Sequence, residues 1–136
     1  MKIINKVLTL AALLLVSSVA FAGVAVIVHP SNADAIDKAT ISKIFLGKAK
    51  SFPSGGAIIP LTQSGAITDE FNTKLLGKSS SQLKAYWAKL VFTGKAKPPK
   101  SVSSAEMLEL VRSNPSTIGF VDSSAVTADV KVVGTF

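Results

Sequence analysis

The sequence feature that most constrains the fold is an uninterrupted apolar run at positions 24–28, Val24-Ala25-Val26-Ile27-Val28. A strand with one solvated face alternates apolar and polar residues, whereas this run has no polar break. We therefore expect a strand that is buried on both faces, inside a sheet covered by helices on either side. The rest of the chain alternates short apolar runs with helical patterns, which favours an α/β layer fold.

Residues 1–22 have the pattern of a secretory signal peptide. Two lysines precede an apolar run over residues 7–16, and Ala20 and Ala22 supply the small-x-small pattern that a signal peptidase accepts. We predict cleavage after Ala22 and a periplasmic location. The alternative is a retained anchor, but a membrane-spanning helix needs about 20 apolar residues and this run is shorter.

Without its signal peptide the chain would be one small domain over residues 23–136. The full chain has 136 residues, with 15 Lys+Arg, 8 Asp+Glu and no cysteine, and a net charge of +7. Two of the basic residues fall within positions 1–22, so the predicted domain carries a net charge of +5. The absence of cysteine excludes disulfides, thiol nucleophiles and cysteine-ligated metal sites.

Apolar runs and helical periodicity predict a mixed sheet of about four strands flanked by about four helices. The strands are expected near residues 24–28, 57–61, 117–121 and 130–133. The helices are expected near residues 34–46, 67–75, 83–91 and 103–111. Candidate N-caps are Ser31 or Asn32 for the first helix, Ser80 or Ser81 for the third, and Ser103 for the fourth. In the third helix an apolar stripe is expected to face the core, formed by Leu83, Tyr86, Trp87, Leu90 and Val91.

The dipeptide Gly-Lys occurs at positions 47–48, 77–78 and 94–95, each time just past a helical pattern. The pair at 77–78, followed by Ser79, is similar to the end of a phosphate-binding P-loop. That loop also needs a glycine where Asn72 stands, and it must follow a strand. We predict instead that each glycine ends a helix in the left-handed conformation, with a lysine near the negative end of the helix dipole.

Residue types that carry enzyme chemistry are sparse. His29 is the single histidine and lies beside Pro30, with no carboxylate cluster to make it a metal ligand. Ser81 and Lys84 have the serine–lysine spacing of penicillin-recognising enzymes, but the companion motifs are missing. We expect no enzyme activity, no metal and no cofactor. The lysines are not interleaved with free aromatic residues, so we expect no nucleic-acid partner, and we expect no stable membrane insertion after signal cleavage.

A small anion is the most natural ligand, and the best candidate site is the turn at residues 62–68. A strand is predicted to end at Leu61 and a helix to begin shortly after it, where the first amides have no partner within the helix. The alternative is that Ser64 merely caps the helix while the amides face water, and local sequence alone favours this alternative. The candidate ligand-binding residues are Gln63, Ser64, Gly65, Ala66, Ile67 and Thr68.

Several segments, in the same order along residues 24–136, resemble the periplasmic phosphate-binding proteins of ABC transporters. These segments are Val26-Ile27-Val28-His29-Pro30-Ser31-Asn32, Ile44-Phe45-Leu46-Gly47-Lys48, Tyr86-Trp87, Phe92-Thr93-Gly94-Lys95, Pro98-Pro99-Lys100 and Asn114-Pro115-Ser116-Thr117-Ile118-Gly119-Phe120-Val121. The resemblance is to short members of that family. It implies a single lobe of a type II periplasmic-binding-protein-like fold.

The resemblance also implies a function in transport, as a substrate-binding protein for phosphate or a similar oxyanion. In the full-length family a second-lobe turn of the type Arg-x-x-x-Ser-Gly-Thr holds the anion at a helix start. Ser64-Gly65 matches part of that turn, while Ala66 stands in place of the threonine and no arginine precedes it. The implied partners are an ABC permease or a second protein lobe. The alternative hypothesis is a ligand-free interaction module for an envelope protein.

Overall fold

The computed structural model describes residues 23–136, so the predicted signal peptide at residues 1–22 lies outside the described part of the chain. Five strands form one sheet: β1 (Val24–Val28), β2 (Ile59–Thr62), β3 (Lys100–Ser101), β4 (Thr117–Asp122) and β5 (Lys131–Thr135). Four α-helices accompany them: α1 (Lys38–Phe45), α2 (Ala66–Phe71), α3 (Ser80–Phe92) and α4 (Ser104–Ser113). A π-helical turn (Asn72–Leu76) continues α2, and a 3₁₀ turn (Ser123–Ala125) follows β4.

The strands are arranged in the order β3-β2-β4-β1-β5. Strand β4 is parallel to β2 and antiparallel to β1, β3 is parallel to β2, and β5 is antiparallel to β1. All five residues of β1 are buried, which confirms the prediction from its unbroken apolar sequence. The fold is therefore a mixed α/β open sheet, as predicted, with one strand more than expected.

Two hydrophobic clusters cover the two faces of the sheet. On one face, helices α1 and α2 contribute Phe45 and Phe71, whose rings contact each other and the ring of Phe120 on β4. The rings of Phe71 and Phe120 are stacked with their centroids 4.0 Å apart. On the other face, α4 packs Met107 and Val111 against the sheet. Side chains on both faces of β1 are therefore part of the hydrophobic core.

Several predicted boundaries change. Helix α1 begins at Lys38 and is capped by Asp37, so the prediction that Ser31 or Asn32 caps this helix is wrong. The Asn32 side chain instead accepts a hydrogen bond from the Asp34 amide at 2.9 Å and forms a local turn.

At the third helix, Ser79 is the cap rather than Ser80 or Ser81. Its hydroxyl accepts from the Gln82 amide and the Gln82 side chain accepts from the Ser79 amide, which is a complete capping box. The fourth helix is capped by Ser103, as predicted.

The glycines of the three Gly-Lys pairs have positive φ angles of 75°, 65° and 72° at Gly47, Gly77 and Gly94. Each lies at the end of a helical segment, which confirms their interpretation as helix-ending residues. The additional strand β3 directly follows Pro98-Pro99, and its residues Lys100 and Ser101 pair with Leu61 and Thr62 of β2. A pairing of two residues is too short to leave a periodic signal in the sequence. Within residues 23–136, no helix is long and apolar enough to cross a membrane.

Candidate functional site

The turn at residues 62–68 lies at the carboxyl end of β2. Because β3 and β4 are parallel to β2, their carboxyl ends meet at the same edge of the sheet. Helix α4 also begins beside this edge, since it follows β3 directly. In open α/β sheets, ligands bind in the crevice outside the carboxyl ends of the strands. The predicted site therefore occupies the edge of the sheet that such folds use for binding.

Gln63 holds the turn in place. Its side chain is buried, with 7% of the residue surface exposed. Its Nε2 donates to the carbonyl oxygen of Phe120 at 2.8 Å, and its Oε1 accepts from the hydroxyl of Ser104 at 2.6 Å. Gln63 thereby joins the end of β2 to β4 and to the first residue of α4. Both polar ends of the Gln63 side chain are therefore bonded within the protein, so this side chain positions the turn and is not free to contact a ligand. Ser104 supports Gln63, and the sequence pattern did not indicate this role.

Thr68 closes the turn from the other side. Its hydroxyl donates to the carbonyl oxygen of Gln63. The Thr68 amide donates to the carbonyl oxygen of Gly65 at 3.1 Å, and the Asp69 amide donates to the same oxygen at 3.3 Å. Since the hydroxyl hydrogen of Thr68 is already engaged within the protein, this side chain has no donor left for an anion. Thr68 shapes the turn and is half-buried.

The start of α2 carries no side-chain cap. The cap position is Gly65, at φ 104° and ψ −171°, a region of backbone conformation that belongs almost solely to glycine. Ser64 is exposed and does not cap the helix, so the alternative in which it serves as the cap is wrong. The amides of Ala66 and Ile67 are the first of the helix and have no partner within it. Four of the six predicted residues therefore remain available to a ligand: Ser64, Gly65, Ala66 and Ile67.

Two carboxyl groups, those of Asp69 and Asp122, lie near this edge of the sheet and weaken its attraction for an anion. Asp69 lies in the first turn of α2, where its side chain accepts a hydrogen bond from the Ser80 hydroxyl at 2.9 Å. Asp122 ends β4, and hydrogen bonds from the hydroxyl and amide of Ser124 lower the pKa of its carboxyl group. No lysine or arginine lies within residues 62–68. Within this segment, positive potential therefore comes from the backbone amides at the start of α2.

His29 lies at the opposite edge of the sheet, after the end of β1. Its Nδ1 is 2.7 Å from the Ser31 hydroxyl and accepts from the Ser31 amide at 3.0 Å. These contacts form a local turn. Because β1 runs opposite to β4 and β2, His29 lies far from residues 62–68. Within residues 23–136, no three residues of the types His, Asp and Glu come together as a metal site.

Comparison with known proteins identifies the fold. No protein-family model matches the sequence, and no curated protein matches it. The structure is similar to an ABC-type phosphate transport receptor from Vibrio cholerae, with a TM-score of 0.60 and 18% identity over 82% of this chain and 45% of that one. It is also similar to a provisionally assigned phosphate ABC transporter substrate-binding protein from Clostridium perfringens, solved with bound phosphate. That similarity has a TM-score of 0.58 and 18% identity, over 82% of this chain and 44% of the other.

A third similar structure is a possible phosphate-binding protein from Planctomyces limnophilus, with a TM-score of 0.58 and 12% identity over 82% of this chain and 40% of that one. This chain thus spans less than half the length of each of the three proteins. At these identities the similarity shows the fold alone. The chain has the fold of part of each of these three proteins, which agrees with the single-lobe architecture expected from the sequence.

Proposed function

We propose that this chain is an exported, non-enzymatic solute-binding protein that binds phosphate or a similar oxyanion at the start of α2. The observation that carries the proposal is the uncapped helix start at Gly65, located at the carboxyl edge of the sheet. The similarity of the fold to proteins named for phosphate transport supports it. An oxyanion would accept hydrogen bonds from the amides of Gly65, Ala66 and Ile67 and from the hydroxyl of Ser64.

Binding at such a site is expected to be weak. Each hydrogen bond to a charged oxygen contributes about 1.5–3 kcal/mol at best, and association costs several kcal/mol. The Asp69 carboxylate in the same helical turn repels an anion, and no arginine side chain compensates for it. We expect a dissociation constant in the millimolar range, which corresponds to a binding free energy of about −4 kcal/mol. Tighter capture would require a second surface, from another protein lobe or a permease.

Calorimetric titration of the purified protein with phosphate, and separately with sulfate, tests the proposal. We expect saturable heat at millimolar concentration, reduced in Ser64→Ala because one hydroxyl donor is lost. Ser81→Ala is the matched control, since Ser81 is an exposed serine near the start of a different helix. Absence of saturable heat with both anions would overturn oxyanion binding. An equal loss of affinity in both variants would contradict the assignment to α2.

Export is the second part of the proposal. We propose that residues 1–22 direct the chain to the periplasm and are removed after Ala22, as their sequence pattern predicts. N-terminal sequencing of the protein from a periplasmic fraction should give Gly23 as the first residue. An unprocessed chain that stays with the cytoplasmic fraction would contradict export. That outcome would leave the calorimetric test of oxyanion binding unaffected.

A further inference from the structure

A groove separate from the turn at residues 62–68 lies between the end of α1, the beginning of β2 and one side of α3. Its volume is about 490 Å³. The buried side chain of Ile44 contributes to its lining, together with Ile58 and Pro60 from the sheet side and Trp87 from α3. The indole ring of Trp87 packs closely over Gly47, since a Cβ atom at Gly47 would lie 3.1 Å from the ring.

The apolar surface continues from the groove onto the end of α3. Val91 lines the groove and is 52% exposed, and the next residue, Phe92, is 92% exposed. The sequence pattern predicts that Val91 faces the core, and this prediction is wrong because Val91 lies at the groove and half of its surface is exposed. Leu83, one turn into the same helix, is buried as expected. The end of α3 therefore exposes apolar side chains to solvent next to the groove.

The charged residues that line the groove all have the same sign. Lys50, Lys95 and Lys97 line it, and no aspartate or glutamate does. These three lysines form the rim of the groove. The Lys50 ammonium donates a long hydrogen bond of 3.5 Å to the carbonyl oxygen of Lys95 across that rim. An occupant must therefore supply apolar groups for the floor and negative charge for the rim.

We propose that this groove is a docking site for an acidic segment of a partner protein, which inserts an aromatic or leucine side chain against Trp87. From Val91 in the groove, the apolar surface continues to the exposed Phe92 outside it, which suits a protein surface better than a small ligand. A second copy of the chain would bring the same lysines together, and like charges across an interface are unfavourable. A flat bilayer surface would contact the exposed Phe92 but would not enter the groove beside Trp87.

Peptide selection on the purified protein tests the proposal. A library of short random peptides is displayed on phage, and binders are counter-selected against the Val91→Glu variant. Since Val91 is half exposed, that substitution leaves the core intact while placing a carboxylate in the groove. We expect the retained sequences to carry acidic residues around one aromatic residue or leucine. No enrichment, or enrichment of basic sequences, overturns the proposal.

Trp87 reports binding directly because it is the single tryptophan of the chain. A selected peptide without tryptophan should shift the Trp87 emission, and its affinity should fall with added salt. The double substitution Lys95→Glu with Lys97→Glu should weaken binding by about tenfold or more, whereas Lys84→Glu with Lys89→Glu changes the net charge equally outside the groove lining. Equal losses in the two double variants overturn the docking site.

Two further measurements decide between classes of occupant. Vesicles of phosphatidylglycerol and phosphatidylcholine should leave the Trp87 emission unchanged, and a shift with vesicles but with no selected peptide overturns the proposal in favour of a membrane surface. Sedimentation velocity should show a monomer at concentrations where the peptide binds. A dimer that Val91→Glu dissociates overturns the proposal in favour of a second copy. None of these results depends on oxyanion binding at α2.

Discussion

Replacing Gln63 with methionine tests whether this residue holds the candidate site together. Methionine has a similar volume and flexibility, so the packing cost of the change is below about 1.5 kcal/mol. The substitution removes the 2.8 Å bond to the Phe120 carbonyl and the 2.6 Å bond from the Ser104 hydroxyl. Each buried hydrogen bond contributes about 1 kcal/mol, and a buried group left without its partner costs about 1–3 kcal/mol. We expect a total loss of about 2–4 kcal/mol in the free energy of unfolding.

The assay is urea unfolding of the purified protein, followed by far-UV circular dichroism and by Trp87 fluorescence. With a slope of about 2 kcal/mol/M, the middle of the range for small proteins, the loss corresponds to a lower urea midpoint by about 1–2 M. Gln82→Met is the matched control, since the Gln82 side chain makes one hydrogen bond, to the Ser79 amide, at an exposed helix start. We expect that control to cost less than about 1 kcal/mol. Equal destabilisation by both variants would refute the positioning role of Gln63.

Three other predictions concern single residues. Gly65→Ala places a side chain at φ 104° in open space, so strain alone should lower the free energy of unfolding by about 1–3 kcal/mol in a urea titration, and oxyanion affinity should fall with it. Phe71→Ala removes the ring stacked on Phe120 and should cost about 3–5 kcal/mol by the same measurement. The side chain and amide of Thr40 donate to Asp37 and lower the pKa of its carboxyl group, so NMR should show it titrating below its ordinary value. Its stabilising effect should be present at neutral pH, above the pKa of the unfolded chain, and should be lost as the pH falls through the pKa of the folded state.

The sequence predicts the fold well where a strong local pattern exists. The unbroken run of β1 requires burial on both sides, and the structure has a helical cluster on each face of that strand. Ser103 sits three residues before Glu106, and it caps α4 as that spacing indicates. The boundaries of α1 could not be predicted, because Asn32 and Asp37 are equally good caps and the choice depends on tertiary packing.

The sequence predicts a candidate site, but it does not predict the contacts that its residues make within the fold. A strand end followed by Ser64-Gly65 and a helical pattern is visible locally. Gln63 forms hydrogen bonds with Phe120, which is 57 positions away in the chain, and with Ser104, which is 41 positions away. No local sequence pattern encodes such contacts. The same holds for the groove beside Trp87, since helical periodicity predicts an apolar stripe but not which part of it remains uncovered.

The central claim is that the amides at the start of α2 bind an oxyanion. The most direct measurement is an amide ¹H–¹⁵N NMR titration of the purified protein with phosphate at constant ionic strength. The amides of Ser80 and Ser81, at the capped start of α3, serve as the internal control. We expect saturable shifts of Gly65, Ala66 and Ile67 with a common millimolar dissociation constant and little change in the control amides. Shifts that rise linearly without saturation, or that are equal at both helix starts, would contradict the claim.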